Sequence, residues 1–304
     1  MTRWFALFVF PVLVGVLVLT PCAVVRLLGS PVWQTLVAPL VPPWWFPWFS
    51  AQYCCVVRSW TSCPGQCWLS PAANWVAGSA VLRWYWILMS RLTAKDVAYI
   101  VWRDTVVSDA FSRVPGDVVV LGPGFHRRQY KEEVQVFEVD YPWILDKRLE
   151  SWPETGSVTF VPFSFGEVAP LRASLQISGV RGQAPHGIFT LAAGVFPYLS
   201  CAAAANVLVQ LAELSENVTL VADMGLDMGC RCSPDIRQHC PSVVRRMVSP
   251  GHPGPGAAFQ LRRLLFDWGW DMLEEHAPPS DAMQGALIVV VQPLRKAVGL
   301  SEQE

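Results

Sequence analysis

Hydrophobic and polar positions alternate differently in the first third of the chain and in the rest. Residues 4–28, WFALFVFPVLVGVLVLTPCAVVRLL, place 22 apolar-compatible positions ahead of Arg26, enough at about 1.5 Å per residue to cross a hydrocarbon core of about 30 Å. The run predicts a transmembrane or signal-anchor helix within residues 1–30. A cleaved signal peptide is the rival reading, since Arg3 precedes the run and the small residue Ala23 lies towards its end. Residues 31–50 are apolar too, but Pro39, Pro42, Pro43 and Pro47 each remove a backbone donor and oppose a continuous helix, while the tryptophans there suit an interfacial belt. A second helical pattern covers residues 74–92, NWVAGSAVLRWYWILMSRL, with Arg83 near its middle. A central arginine costs about 2.5–3.5 kcal/mol in a membrane, so a lid helix packed on the following domain is as good a reading as a second span.

From about residue 94 the pattern becomes short apolar runs separated by helical ones. DVVVLG (117–122), VQVFEVD (134–140), SVTFVPF (157–163), GIFTLAA (187–193), NVTLVADM (217–224) and GALIVVVQP (285–293) are nearly continuous in Val, Ile, Leu and Phe, as expected of strands covered on both faces. Helical patterns fit between them at 168–178, 200–215 and 257–270. The alternation predicts a doubly wound α/β sheet.

Composition sharpens the division. Hydrophobic residues make up 52% of the 304 and charged residues 15%, against about 25% charged in an ordinary soluble domain. Residues 1–90 hold no Asp, Glu or Lys, so the two parts are built for different surroundings. A net charge of −1 without a dense basic run leaves nucleic-acid binding through a phosphate footprint unsupported.

Chemistry is expected where the first predicted strand ends. In VVVLGPGFHRRQY (118–130), Gly122 and Gly124 flank Pro123, so the backbone there turns sharply and approaches a ligand with no Cβ in the way. In a doubly wound sheet ligands bind at the carboxyl ends of strands where strand order reverses. The second strand ends in Glu138 and Asp140, the latter sixteen residues after Gly124, close to the offset of about 20 at which an acidic side chain meets a ribose diol. A plain glycine turn and a solvated strand-end acid are the alternatives. His126 follows the glycines; a lone loop histidine more often faces solvent than acts as a base.

VVVLGPGFHRRQY, VFEVDYPWILDKR, VTFVPFSF and GIFTLAAGVFPYLS occur in this order, and together they resemble the leucine carboxyl methyltransferase and polyketide O-methyltransferase family of class I S-adenosylmethionine-dependent enzymes. The likeness spans about 103–224, with EVDYP followed by Lys147 as its most specific part, GVFPYLS next, and FDWGW (266–270) similar to the element ahead of the family's last two strands. It implies a mostly parallel seven-stranded, Rossmann-like sheet over 93–304, after a Pro/Trp-rich segment at 31–92. It also implies S-adenosylmethionine as cofactor. On that resemblance Gly122, Pro123 and Gly124 form the loop under the cofactor's amino-acid portion and Asp140 meets its ribose. Arg103 matches the arginine that meets its carboxylate, Ser164 and Phe165 the adenine-side pair, and Ala193 a pocket-wall position.

The chain departs from the family at His126, Ser164 and Ala193, where acidic residues are the norm, and each charge-assisted hydrogen bond so removed is worth about 1.5–3 kcal/mol. The implied reaction moves a methyl group from a sulfonium to a carboxylate or hydroxyl of a protein C-terminus or small molecule. A carboxylate acceptor is already ionised and requires no strong base. His126 is the candidate base for a hydroxyl acceptor and Tyr198 a candidate wall of the acceptor channel. A catalytically impaired relative acting as a binding or scaffolding module at a membrane is the main alternative. A nicotinamide-dependent enzyme is disfavoured by the lack of a third spaced glycine after Gly124. Because the cofactor is chiefly intracellular, the domain is expected to face the cytosol from a membrane anchored through 4–28.

No metal site is expected. Cys63 and Cys67 have no second ligand pair at zinc spacing, and in GCRCSPDIRQHC (229–240) the adjacent His239 and Cys240 cannot easily both reach a metal held by Cys230 and Cys232. Asn217 opens an N-V-T glycosylation sequon, but its place in an expected buried strand argues against use.

Overall fold

The computed structural model describes residues 45–61, 68–69, 71–80, 83–84, 87, 91–112, 116–128, 130, 133–152, 157–166, 168–180, 187–226, 228, 257–282 and 285–294. These fall into two compact units, one of residues up to 101 together with 279–282, the other of the remaining residues from 102 onward.

The first unit contains helices α1 (Trp45–Thr61) and α2 (Pro71–Gly78) and the start of α3 (Arg91–Ser112). Pro47 does not prevent α1, because it lies in the first turn, where a missing N–H has no intrahelical partner to lose. Val56 of α1 packs among Trp60, Leu69, Ala73 and Ala77, and the Trp60 indole N–H donates to the Ala77 carbonyl at 2.9 Å. Among the described residues no helix is long and apolar enough to cross a membrane. The expected anchor at 4–28, Cys63, Cys67 and the cysteine cluster of 229–240 lie outside the described residues, as does part of the 74–92 pattern. What is described of that pattern is the end of α2, Ser79 and Ala80, the exposed Arg83, Trp84 and Ile87, and the start of α3.

The second unit is a seven-stranded sheet in the order β3-β2-β1-β4-β5-β7-β6. Its strands are β1 (Asp117–Leu121), β2 (Val136–Asp140), β3 (Val158–Pro162), β4 (Ile188–Ala192), β5 (Val218–Gly225), β6 (Trp270–His276) and β7 (Ala286–Pro293). The first five pair in parallel, and β7 runs antiparallel to both β5 and β6. The sheet is therefore mixed, with a single reversed strand. Helices α4 (Pro142–Ser151), α5 (Leu171–Ile177), α6 (Cys201–Ala212) and α7 (Ala257–Asp267) complete the unit.

Side-chain alternation explains why the central strands read as continuous apolar runs. Val119 and Leu121 of β1 join the core formed with α5, α6 and α7, while Val118 and Val120 join Val107 and Phe111 of α3 on the other face. Both faces are covered, so every position of β1 but the first is buried. Strand β6 escapes the pattern. Its sequence WDMLEEH leaves Asp271, Leu273, Glu274 and Glu275 exposed at the sheet edge, where charged side chains discourage pairing with another chain. The helix expected at 257–270 accordingly ends at Asp267 and gives way to this strand. Asn217 is corrected as well: it is exposed on a bend immediately before β5, not buried within it.

Candidate functional site

From β1 the chain proceeds outward through β2 and β3, then returns to the opposite side of β1 with β4. Strand order thus reverses between β1 and β4, and the crevice expected beyond their carboxyl ends is bordered by the turn after Leu121 and the turn after Ala192.

The first turn is the glycine loop. The Gly122 N–H donates to the Val139 carbonyl at 2.8 Å, which continues the ladder one residue past β1. Gly122 and Gly124 then adopt φ values of 60° and 58°, in the left-handed region where a Cβ is strained. At Gly122 an added Cβ would also lie 2.5 Å from Val195 Cγ2, so close packing of the two turns across the switch point requires glycine. Pro123 between them is half-buried and accepts from the His126 N–H at 3.4 Å.

Asp140 closes this loop from the neighbouring strand. Its Oδ2 accepts from the Gly124 N–H at 2.9 Å and its Oδ1 from the Tyr141 N–H at 2.8 Å. Burial raises its pKa to about 6, against the lowering pull of those two N–H groups and of Arg148. An ionised carboxylate offers about four acceptor positions; two are filled by backbone, which leaves one on each oxygen. Two hydroxyl groups on adjacent carbons suit that remainder. The solvated strand-end acid considered from sequence is not what is found, since Glu138 and Asp140 are 1% and 3% exposed.

Aromatic side chains extend from Asp140 along the ends of β2 and β3. Tyr141 stacks on Trp143 at 6.3 Å between centroids and meets Phe165 edge-on at 5.8 Å; Phe165 in turn meets Phe163 at 5.2 Å. Tyr141, Trp143 and Phe165 are only half-buried, while Ser164 is exposed. The loop carrying Phe165 is held from α6: Asn206 donates to the Gly166 and Ala169 carbonyls at 3.3 and 3.1 Å, and Gln210 to Ala169 at 2.6 Å.

On the other side of the switch point, Arg103 of α3 donates to Asp223 Oδ2 of β5 at 3.2 Å, and the other oxygen of Asp223 accepts from the Gly194 N–H. Gly194 has φ 82°, and a Cβ there would stand 3.1 Å from Arg103 Nη1. Arg103, which sequence resemblance placed against a cofactor carboxylate, is thus paired with a carboxylate of the chain itself. Ala193 is half-buried beside this turn, and Tyr198 is half-buried in the 3-10 turn Phe196–Tyr198.

One expectation is corrected here. His126 is 8% exposed rather than solvent-facing. Lys147, part of the most specific sequence match, points to solvent and pairs with Glu150 at 2.8 Å, whereas its neighbour Arg148 is buried and engaged. Sequence reasoning passed over Arg148, Asp223, Tyr130 and Tyr141. A signal for the first two was present: Glu138 and Asp223 are acids inside apolar strand runs, and such acids demand a cationic or donor partner. Among the described residues no group of His, Cys, Asp and Glu is arranged to hold a metal.

No protein-family model matches the chain, and no curated protein matches it. Several solved structures resemble it distantly. A candidate O-methyltransferase from Nostoc punctiforme is 10% identical, over 62% of this chain and 55% of that one, at a TM-score of 0.39. Magnesium protoporphyrin IX methyltransferase from Synechocystis, solved with S-adenosylhomocysteine, is 14% identical over 64% of this chain and 84% of its own, at 0.36. A candidate exported protein from Bordetella parapertussis is 15% identical over 80% of this chain and 79% of its own, at 0.41. The chain spans little more than half of the Nostoc protein, and a likeness this slight assigns neither family nor activity.

Proposed function

We propose that the chain is an S-adenosylmethionine-dependent O-methyltransferase whose acceptor is a carboxylate or hydroxyl of a protein C-terminus or small molecule. One observation carries the reading. At the switch point of the sheet, a buried strand-end aspartate with an acceptor position left on each oxygen closes a loop of two left-handed glycines, beside half-buried aromatic rings. A ribose diol fits Asp140, an adenine ring fits the surface of Tyr141 and Phe165, and an amino-acid portion fits over Gly122–Gly124. The sequence resemblance supports the same assignment independently of the geometry.

The cofactor supplies an activated methyl group on a positively charged sulfur. The chain's part is to bind and orient. Asp140 fixes the ribose through two hydrogen bonds, the glycine loop brings backbone within reach without a side chain intervening, and the aromatic rings exclude water. Alignment of acceptor, methyl carbon and sulfur in a dry site then lowers the barrier without a strong base. A carboxylate acceptor is favoured on this account, because no proton need be removed before attack and none of the steps is routed through buried His126.

Titration calorimetry with S-adenosylmethionine and S-adenosylhomocysteine tests the reading. Both should bind, and Asp140→Ala should weaken both at least about tenfold through loss of the diol hydrogen bonds. Absence of heat and of any thermal shift at millimolar ligand, with the protein folded, would sink it.

A further inference from the structure

Beneath the glycine loop lies a buried polar cluster that the ligand contacts above do not use. Glu138 sits in the middle of fully buried β2, where an unpaired carboxylate is very costly. Arg148 of α4, itself 3% exposed, answers it. Its Nε donates to Glu138 Oε2 at 3.0 Å and its Nη2 to the same oxygen. Its Nη1 donates to two loop carbonyls, Gly124 and His126, both at 2.9 Å. The Tyr130 hydroxyl donates to the remaining oxygen of Glu138 at 2.6 Å. The rings of Trp152 and Phe160, 5.4 and 5.9 Å from the guanidinium carbon, flank the arginine.

Gly124 is therefore gripped twice, by Asp140 at its N–H and by Arg148 at its carbonyl. Both grips come from β2 and the helix that follows it, so the loop cannot shift without breaking one of them. A trans peptide unit is planar, with its C=O opposed to the next N–H. Holding the Gly124 and His126 carbonyls consequently also sets the Phe125 and Arg127 N–H groups on the side away from Arg148.

We infer that Arg148 is a positioning residue for the methyl donor, gripping the glycine loop so that its amides and the Asp140 carboxylate stay in register for the donor's amino-acid and ribose portions. The inference rests on the reading of this site as a methyl-donor site. Only a planar guanidinium pairs with a carboxylate while donating to two further carbonyls; a lysine ammonium, with three donors on one nitrogen, does not reproduce that fork. The arginine also favours the ionised form of Asp140, which acts in the same direction.

The probe is S-adenosylhomocysteine, titrated into the full chain and two variants, with thermal unfolding of each measured without ligand. Arg148→Met alone strands Glu138, so the informative variant is Arg148→Met with Glu138→Leu and Tyr130→Phe, which removes the buried pair together with the hydroxyl that donates to it and is expected to fold, melting below the parent only through the two loop carbonyls that lose their donor. It should nevertheless bind at least about tenfold more weakly, with any measurable turnover showing a raised KM for the donor more than a lowered kcat. Arg148→Lys keeps the charge opposite Glu138 and is the second variant; it should fold and bind several-fold more weakly. Parent-like affinity in whichever of the two is folded would overturn the inference and leave Arg148 a purely structural residue. Failure of the parent itself to bind would instead strike at the proposed function.

Discussion

Asp140 gives the site a pH signature of unusual sign. A carboxyl in an unfolded chain ionises near 3.8, whereas in the folded protein burial raises this to about 6. At about 1.36 kcal/mol for each tenfold change in proton affinity, the ionised form is disfavoured by about 3 kcal/mol in the ligand-free site. The folded state holds this proton more tightly than the unfolded state does. Asp140 therefore contributes stability that is fully present below about pH 4 and is lost as pH rises through about 6. Most buried, ion-paired carboxylates do the opposite. A diol ligand needs the ionised form, because it donates to both oxygens and the protonated acid presents a donor of its own. With a midpoint near 6, about one molecule in eleven is ionised at pH 5, so affinity for S-adenosylhomocysteine should be about tenfold lower at pH 5 than at pH 8 and about twofold lower at pH 6. Calorimetric titrations at pH 5, 6, 7 and 8 read this directly, and a 2′,3′-dideoxy analogue, which cannot address the carboxylate, should show a much flatter profile. An affinity that is level from pH 5 to 8, or that rises on acidification, would refute the argument.

Two further outcomes follow from packing. Gly122→Ala places a Cβ 2.5 Å from Val195 at φ 60° and should cost about 2–4 kcal/mol in chemical denaturation; adding Val195→Ala should recover the crowding but not the backbone strain. Asp223→Ala leaves the buried Arg103 guanidinium without this carboxylate and should destabilise the folded state by about 3 kcal/mol or more, while Asp223→Asn, which keeps an acceptor, should cost less in the same thermal melts.

The six apolar runs were legible because buried strands require Val, Ile, Leu and Phe in sequence, and each strand is found within one or two residues of its expected ends. Strand β6 was not, since an edge strand with one face in water carries WDMLEEH, which by composition alone suits a helix equally well. The glycine loop and Asp140 could be read because their spacing is local. The arrangement that secures them was out of reach: Arg148 meets Gly124 across 24 positions and Arg103 meets Asp223 across 120. Lys147 attracted attention where Arg148 does the gripping, because one residue along a helix turns a side chain by about 100° and periodicity without a partner's position does not say which neighbour faces inward.

The charge buried near the crevice gives the missing acids a consequence. Glu138, Asp140 and Asp223 are all buried there, so carboxylates are not lacking. Yet Glu138 faces Arg148 at hydrogen-bond distance and Asp223 faces Arg103 at 3.2 Å, and each pair is close to neutral as seen from the crevice. Asp140 accepts from the uncharged Gly124 and Tyr141 N–H groups, and on the proposed reading its remaining acceptor positions go to the diol. With His126 and Ala193 in place of acids, the described residues offer little uncompensated negative charge to an ammonium group above the glycine loop. The ammonium should then add little to affinity. We predict that S-adenosylhomocysteine binds less than about tenfold more tightly than its deaminated analogue, which keeps the carboxylate for the loop amides but lacks the ammonium, because the gain falls below the 1.5–3 kcal/mol that one charge-assisted hydrogen bond contributes. A hundredfold gain in paired titrations would mean that an acid pairs with the ammonium after all, and would point to Asp223 exchanging Arg103 for the ligand.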